Sequence, residues 1–393
     1  MQISRFAAGL LVATAFAAPA FAGPIKTVFV IALENHNFTQ PADAPPGTPE
    51  QILGNPAAPY VNSLITPGNP NAAMTSFATN YQNAAVGVHP SEPNYIWSQA
   101  GQDFGVDNDD DPSPANGNVF SSPSLAGLLQ QKGISWKSYQ EDIDMDFSTN
   151  TVLPKSEWTV PLVSQSGTNS GYTNPYNGSH QYNYAAKHDP MVFFTDTNGP
   201  SETYHYAPLQ QLATDLTDNT VARYNWITPD QYNEMHSSLS GGFTYHGVHY
   251  TGDQAAVAEG DNFLSIMVPE IEASQAFKDD GAIILWWDET EGGDTSQYTI
   301  PEIVISPDAI GNAYSNDVYY THSSDLLTME ELFQVGQCLG NSCSANSLAG
   351  LFKPGSIPNT VVPEPASLSL LGVGLAGLLA ARRRRRGATQ SAS

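Results

Sequence analysis

The chain has 393 residues, 40% hydrophobic and 13% charged, enough for one large domain or two smaller ones with a proper core. Against 39 acidic residues stand 14 Lys and Arg, a formal charge of −25, and six of those cations (Arg5 and Arg382 to Arg386) lie in the two ends. So acidic a middle repels nucleic acid and anionic lipid, and an anionic substrate must be drawn in locally, by a metal or by histidines.

Residues 1–22 read as a secretory signal. Arg5 supplies the positive start, Phe6 to Ala18 the apolar stretch, and Ala20-Phe21-Ala22 a small-residue cleavage site before Gly23. Export into an oxidising compartment points to a local disulfide between Cys338 and Cys343.

The apolar run Ile25 to Leu33 has the character of a strand buried on both faces, as in parallel sheets, and Glu34, Asn35 and His36 stand at its carboxyl end. Ligand sites in α/β sheets gather at such ends. Residues 40–80 are loop-rich. They lead into Val88-His89-Pro90-Ser91-Glu92-Pro93, where two prolines bracket a hydroxyl just before a helix. That context predicts Ser91 as an N-cap, close to unpaired backbone N–H groups and the positive end of the helix dipole. Such a place suits an anion or an alkoxide, although a plain capping serine would read the same. The acidic run Asp107 to Asp111 lacks the spacing of a calcium loop and reads as solvated.

Ser124 to Lys132 is an amphipathic helix closed by Gly133, followed by a strand over Ile134 to Tyr139. Residues 148–184, rich in Ser, Thr, Asn, Gly and Tyr, read as a loop-rich insertion capping the sheet. Pro190 to Phe194 reads as a strand with His188 just before it, and Pro208 to Leu216 as a helix. Arg223 to Thr228 is a strand ending in Asp230, Glu234 and His236, and Gly260 to Ser274 is a helix that Pro269 should kink. Ala282 to Trp287 is the most strand-like run, with Asp288-Glu289 at its end. After the strand Pro301 to Ser306, Tyr320-Thr321-His322 leads into a helix over Ser324 to Phe333 with a capping serine. The alternation predicts a single α/β domain over residues 23–355, with a mostly parallel central sheet flanked by helices.

At the C-terminus, Val362-Pro363-Glu364-Pro365 precedes an apolar helix candidate, Ala366 to Ala381, and then Arg382 to Arg386. The apolar run is short for a full membrane span. Together the triplet, helix and arginine block over residues 362–386 resemble a PEP-CTERM sorting signal. That resemblance implies a Gram-negative exporter and a transient hold in the inner membrane. It also implies a sorting enzyme that releases or displays the protein, often with extracellular polysaccharide.

Three strands thus end in acids or amides: Glu34-Asn35, Asp230 with Glu234, and Asp288-Glu289, while His89, His236 and His322 lie in similar loops. Oxygen-rich donors select Mg²⁺, Ca²⁺, Mn²⁺ or Fe²⁺, and zinc is compatible where histidine joins. A divalent ion beside Ser91 would lower the hydroxyl's pKa and neutralise a phosphoryl group.

Five stretches then match in order between Lys26 and Phe352. They are Glu34-Asn35-His36-Asn37-Phe38, His89-Pro90-Ser91-Glu92-Pro93-Asn94-Tyr95, Asn233-Glu234-Met235-His236, Trp287-Asp288-Glu289 and Tyr320-Thr321-His322. They resemble the phosphoesterase family of bacterial acid phosphatases and phospholipases C, in the alkaline phosphatase-like superfamily. The resemblance implies metal ligands at Glu34, Asn35, Ser91, Asp288 and Glu289, with Ser91 the nucleophile of a phosphoserine intermediate. It implies phosphate contact or proton transfer for His236 and His322, with His89 at the mouth. His188 matches a Lys-His-x-Pro feature of some members. Asp294-Thr295 stands where phospholipase-like members carry an Asp-His pair, which favours the acid phosphatase branch. Glu234 replaces an aspartate, leaving its role and that of Asp230 open.

The expected function is therefore a secreted, metal-dependent phosphoric ester hydrolase acting on monoesters. A phospholipase C-type phosphodiesterase is one alternative, and a non-catalytic surface or matrix-binding protein another. A sulfatase lacks its Cys/Ser-x-Pro-x-Arg context, a serine esterase its Gly-x-Ser-x-Gly elbow, and a nucleotide-driven enzyme its phosphate-cradling loop.

Overall fold

The computed structural model describes residues 23–358. The expected signal segment 1–22 and sorting segment 362–386, with the short transmembrane helix expected in it, lie outside them. Among the described residues no helix is long and apolar enough to cross a membrane.

Eight strands form the central sheet: β1 Thr27–Leu33, β2 Thr75–Ala78, β3 Trp136–Gln140, β4 Tyr206–Pro208, β5 Tyr224–Thr228, β6 Gly281–Trp287, β7 Glu302–Ile305 and β8 Tyr314–Asn316. Their order is β8-β2-β7-β6-β1-β5-β3-β4. Only β7 runs against the rest, so the sheet is mostly parallel. Val28 to Leu33 and all of β6 are buried, as continuous apolar runs covered on both faces must be.

The principal helices are α1 Pro59–Leu64, α2 Ser91–Ala100, α3 Leu125–Gln131, α4 Gln210–Thr217, α5 Asp253–Ala273 and α6 His322–Phe333. Ser124 caps α3 as its sequence predicts, accepting from the Gly127 N–H at 3.1 Å.

Four local expectations are corrected. Pro190–Phe193 is a 3₁₀ turn packed on α2, not a strand. A short apolar run cannot be assigned by periodicity, and here the sheet edge is filled by β4 instead. The long helix starts at Asp253, seven residues early, because its opening stretch is built of small residues; Pro269 lies inside it. Thr321, not Ser324, caps α6, and Ser324 reciprocates at N3 by accepting from the Thr321 N–H at 3.1 Å. Ser91 is the first helical residue of α2, with Pro90 in the capping position.

The stretch 148–184 carries short antiparallel ladders, including Gln165–Thr168 against Gln181–Tyr184. Cys338 and Cys343 form a disulfide.

Candidate active site

The sheet order places the carboxyl ends of β6, β1 and β5 side by side, with Leu33 level with Trp287 and Ile31 level with Ile227. Glu34, Asp288 and the loop from Asp230 to His236 therefore leave the sheet at one spot. Asn35 turns out of β1 with φ +52°, and its N–H bonds Asp288 Oδ1 at 3.0 Å. His36 holds the turn from behind, with Nδ1 on the Glu34 carbonyl at 3.0 Å and Nε2 on Asp253 at 3.1 Å. Met235 adopts φ +79° between Glu234 and His236, a conformation costly for a side chain of its size. Gly260 of α5 makes room for it, since a Cβ there would stand 2.3 Å from Met235 Cγ.

Ser91 is buried at the start of α2, and its hydroxyl donates to Glu34 Oε2 at 2.9 Å. Beside it, Glu34, His188 and Glu234 each present a ligand atom, all within 4.8 Å of one another. His188 Nδ1 is 2.8 Å from Glu234 Oε1 and Nε2 3.3 Å from Glu34 Oε1, in neither case on the line of a hydrogen bond. The ring stacks on Tyr95 at 4.8 Å. Burial, then Lys187, pushes His188 well below the usual imidazole range, so the ring is neutral. Burial pushes Glu34 and Glu234 well up, Asp288 adding to both.

The acceptors here outnumber the donors. Glu34 Oε1, Asn35 Oδ1, Asp288 Oδ2 and both Glu234 oxygens are buried without a hydrogen-bond partner. Uncompensated acceptors in one place are costly, and a divalent cation is the group that would satisfy them together. The donor set thus fits the metal that the sequence implied. Lys187 is the cation whose charge is felt at Glu34, Glu234 and Asp288, and its ammonium bonds Asp109 at 2.7 Å. That Asp109 also accepts from the Glu92 N–H at 3.1 Å, so part of the acidic run supposed to be solvated is built into the site wall.

The remaining predicted residues occupy distinct positions. Glu289 accepts from Asn94 at 3.2 Å and pairs with His89 Nδ1 at 2.5 Å, while His89 Nε2 meets Asp294 at 2.8 Å. The Glu289 and Asp294 carboxylates push His89 up to about 9, making it an imidazolium at neutral pH. His236 is half-buried, its ring centroid 5.8 Å from that of His188, with Nδ1 on Ser237 Oγ at 3.1 Å. Burial pushes it down to about 4. His322 departs from expectation. It is fully buried, with Nδ1 on the Tyr81 hydroxyl at 2.8 Å and Nε2 on the Asp288 main-chain carbonyl. Both nitrogens are thus engaged within the protein, and neither is free to meet a phosphate.

In the sequence His188 is marked only by its Lys-His-x-Pro motif, and Lys187 by nothing beyond its place in it. The adjacent Lys-His pair was the available signal, and its burial beside two glutamates became visible only in the fold.

The class these features define is an α/β protein that sets a hydroxyl among cation-seeking oxygens at the carboxyl edge of its sheet. The family model described as the phosphoesterase family matches residues 70–336, and the chain belongs to that family. The PEP-CTERM protein-sorting motif matches residues 361–385. Among similar proteins, the phosphate-repressible acid phosphatase of Penicillium chrysogenum is 27% identical over 66% of this chain and 53% of its own. The phosphatidylinositol-3-phosphatase of Mycobacterium tuberculosis is 24% identical over 72% of each. The chain spans about half the length of the fungal acid phosphatases it matches. A solved structure from the alkaline phosphatase superfamily of Vibrio parahaemolyticus aligns over 80% of this chain and 67% of its own, at 13% identity and a TM-score of 0.45.

Proposed function

We propose that this protein is an exported, metal-dependent phosphoric ester hydrolase, acting on phosphomonoesters through Ser91. The observation that carries the reading is the ring of unpartnered oxygens around the Ser91 hydroxyl. Glu34, Asn35 and Asp288 would hold a divalent ion beside Ser91, with Glu234 and His188 within reach and Glu289 braced by His89. When bound, such an ion supplies positive charge for the phosphoryl oxygens and acidifies the serine hydroxyl.

The chain's own groups supply the rest. Glu34 already accepts a hydrogen bond from the Ser91 hydroxyl, which orients the lone pairs of Oγ. A new Oγ–P bond would form as the P–O bond to the alcohol breaks, the hydroxyl proton passing to Glu34 and the departing oxygen taking a proton from water; a second water then hydrolyses the phosphoserine and releases phosphate. His236 Nε2, without a hydrogen-bond partner among the described residues, would bond a phosphoryl oxygen or the departing alcohol. The imidazolium of His89 and the ammonium of Lys187 offset the local acidity that would otherwise repel an anion. Export and sorting rest on the PEP-CTERM match, with residues 23–355 as the catalytic domain and 148–184 as an insertion beside its mouth.

The deciding experiment compares p-nitrophenyl phosphate with its bis-ester, using residues 23–361 with and without chelator. Monoester turnover lost with chelator and restored by one metal supports the proposal. Preference for the bis-ester would move it to a phosphodiesterase. Silence on both, across metals and pH, would sink it in favour of a binding module.

A further inference from the structure

A pocket of about 300 Å³ lies beside the site and has no part in the proposed reaction. Small-ligand pockets run from about 300 to 1,000 Å³, so it can hold a small group. Three segments build it: residues from 80 to 86 beyond β2, residues from 290 to 296 beyond β6, and Tyr319 ahead of α6. Asn83 ties the first two together. Its Nδ2 donates to Thr290 Oγ1 at 2.9 Å and to Asp294 Oδ1 at 2.6 Å, and its Oδ1 accepts from the Thr290 N–H at 2.8 Å. The Gly87 N–H adds a bond to Asp294 Oδ2 at 2.9 Å. Tyr319 is anchored through its main-chain carbonyl, which accepts from Asn346 Nδ2 at 3.0 Å. The walls are thus fixed by the protein's own bonds, which lowers the ordering cost of binding.

His89 joins this pocket to the site. Its ring meets Glu289 through Nδ1 and Asp294 through Nε2, and Asp294 lines the pocket. Thr290, the residue after Glu289, lines it too. One imidazole therefore stands between the pocket wall and a carboxylate of the proposed cation site. The alcohol portion of an ester held at Ser91 and extending past His89 would enter it.

The lining indicates what that alcohol would be. Asn80, Gln82 and Ser296 are uncharged, and each can both donate and accept, as a hydroxyl does. Gln82 Nε2 donates to Asn80 Oδ1 at 3.1 Å, while Gln82 Oε1 and Ser296 Oγ have no partner among the described residues. Val86 and Tyr319, 83% and 57% exposed, add apolar surface, and Tyr319 brings a phenol hydroxyl with it. No Lys or Arg lines the pocket, and its carboxylate, Asp294, is taken up by His89, Asn83 and the Gly87 N–H. A second phosphate would meet no cation beyond His89, which two carboxylates already hold.

We propose that this pocket receives the alcohol portion of the substrate, and that the preferred ester is the monophosphate of a neutral, polyhydroxylated alcohol about the size of a single sugar ring. This rests on the reading of Ser91 as the nucleophile of a phosphomonoesterase. Gln82, Ser296 and Tyr319 are then specificity-determining residues, because a site built to bond hydroxyls discriminates against analogues that lack them.

The test compares kcat/KM for glucose 6-phosphate, hexyl phosphate and methyl phosphate, using full-length protein with the metal that supports p-nitrophenyl phosphate turnover. All three are esters of primary alcohols, so the comparison isolates the pocket from the acidity of the leaving group. Glucose 6-phosphate should exceed the other two by at least about tenfold, and glucose 1,6-bisphosphate should lose that advantage. Gln82→Ala and Tyr319→Ala should each cut the ratio of glucose 6-phosphate to methyl phosphate at least about fivefold. Tyr319 is exposed and Gln82 half-buried, so both variants should fold. Equal constants for the three esters, a preference for hexyl phosphate, or a ratio unmoved in both variants would overturn the proposal. If no ester is turned over, p-nitrophenyl phosphate included, the reading of Ser91 fails instead. Saturation-transfer NMR with methyl glucoside, which carries no phosphate, then judges the pocket alone: transfer that is lost in Tyr319→Ala supports it, and no transfer in wild type overturns it.

Discussion

Two clusters of buried acids lie next to each other at the carboxyl edge of the sheet, and they are built on opposite principles. The first, Glu34 with Glu234 and Asp288 around His188, leaves oxygen after oxygen without a donor. The second, Glu141, Asp142 and Asp230, follows the ends of β3 and β5, and its acids are equally buried. There, Glu141 accepts from Asn174 at 2.7 Å, from Asn233 at 2.9 and 3.0 Å and from the Asp230 N–H at 2.9 Å. Asp142 accepts from the Tyr172 hydroxyl and the Asn183 N–H, and Asp230 from the Asn233 N–H. Acid count alone would rank both as metal sites. Donor satisfaction separates them: the second is a polar lock tying residues 172–183 to the sheet, and only the first calls for a cation.

The contrast can be broken most severely at the nucleophile. Ser91→Ala should lower turnover by about 10³-fold or more while the protein still binds metal and melts as a folded domain. Turnover within tenfold of wild type would mean that the first cluster serves some other chemistry. Next comes a paired substitution. Glu234→Gln should weaken Mn²⁺ binding about 10–100-fold, whereas Glu141→Gln should leave it within about twofold. Equal losses, measured by calorimetric titration, would erase the distinction between the clusters.

Smaller effects fall on the lock. Asn174→Ala removes a donor from a buried carboxylate and should cost about 1–3 kcal/mol in urea unfolding, with kcat nearly unchanged. A drop in kcat matching the loss of stability would show the lock to be part of the reaction. The pH response is the mildest sign. Burial pushes Glu141 up to about 8 and Asp142 up to about 6. The folded state therefore binds more protons than the unfolded chain once pH passes the ordinary carboxyl range, and this contribution to stability is lost as pH rises toward 8. Metal affinity should run the other way, tightening as the ligand carboxylates ionise. Urea midpoints of metal-saturated protein at pH 5 and pH 8, set beside Mn²⁺ affinities at the same pH values, check both signs.

Much of the first cluster was legible in the chain because each member ends a recognisable strand. The runs before Glu34, Asp230 and Asp288 are apolar and β-branched or aromatic, and parallel sheets put ligands at such ends. His188 was less legible because the run after it is a 3₁₀ turn, whose apolar residues mimic a strand. The misplacement of His322 has a different cause. Its position before a helix suggested an open loop, but Tyr81 and Trp286 arrive from distant segments to bury it. The lock was invisible for the same reason. Its donors Asn174 and Tyr172 lie in an aperiodic stretch, and no local pattern announces which acid an asparagine will satisfy.

The most direct test of the central claim is the divalent metal content of wild-type and Glu34→Gln protein, purified side by side without added chelator. Wild-type protein should carry a tightly held ion that is absent from the variant. Wild-type protein free of metal, or a variant that carries as much of it, would contradict the claim that these unpartnered oxygens exist to hold a cation.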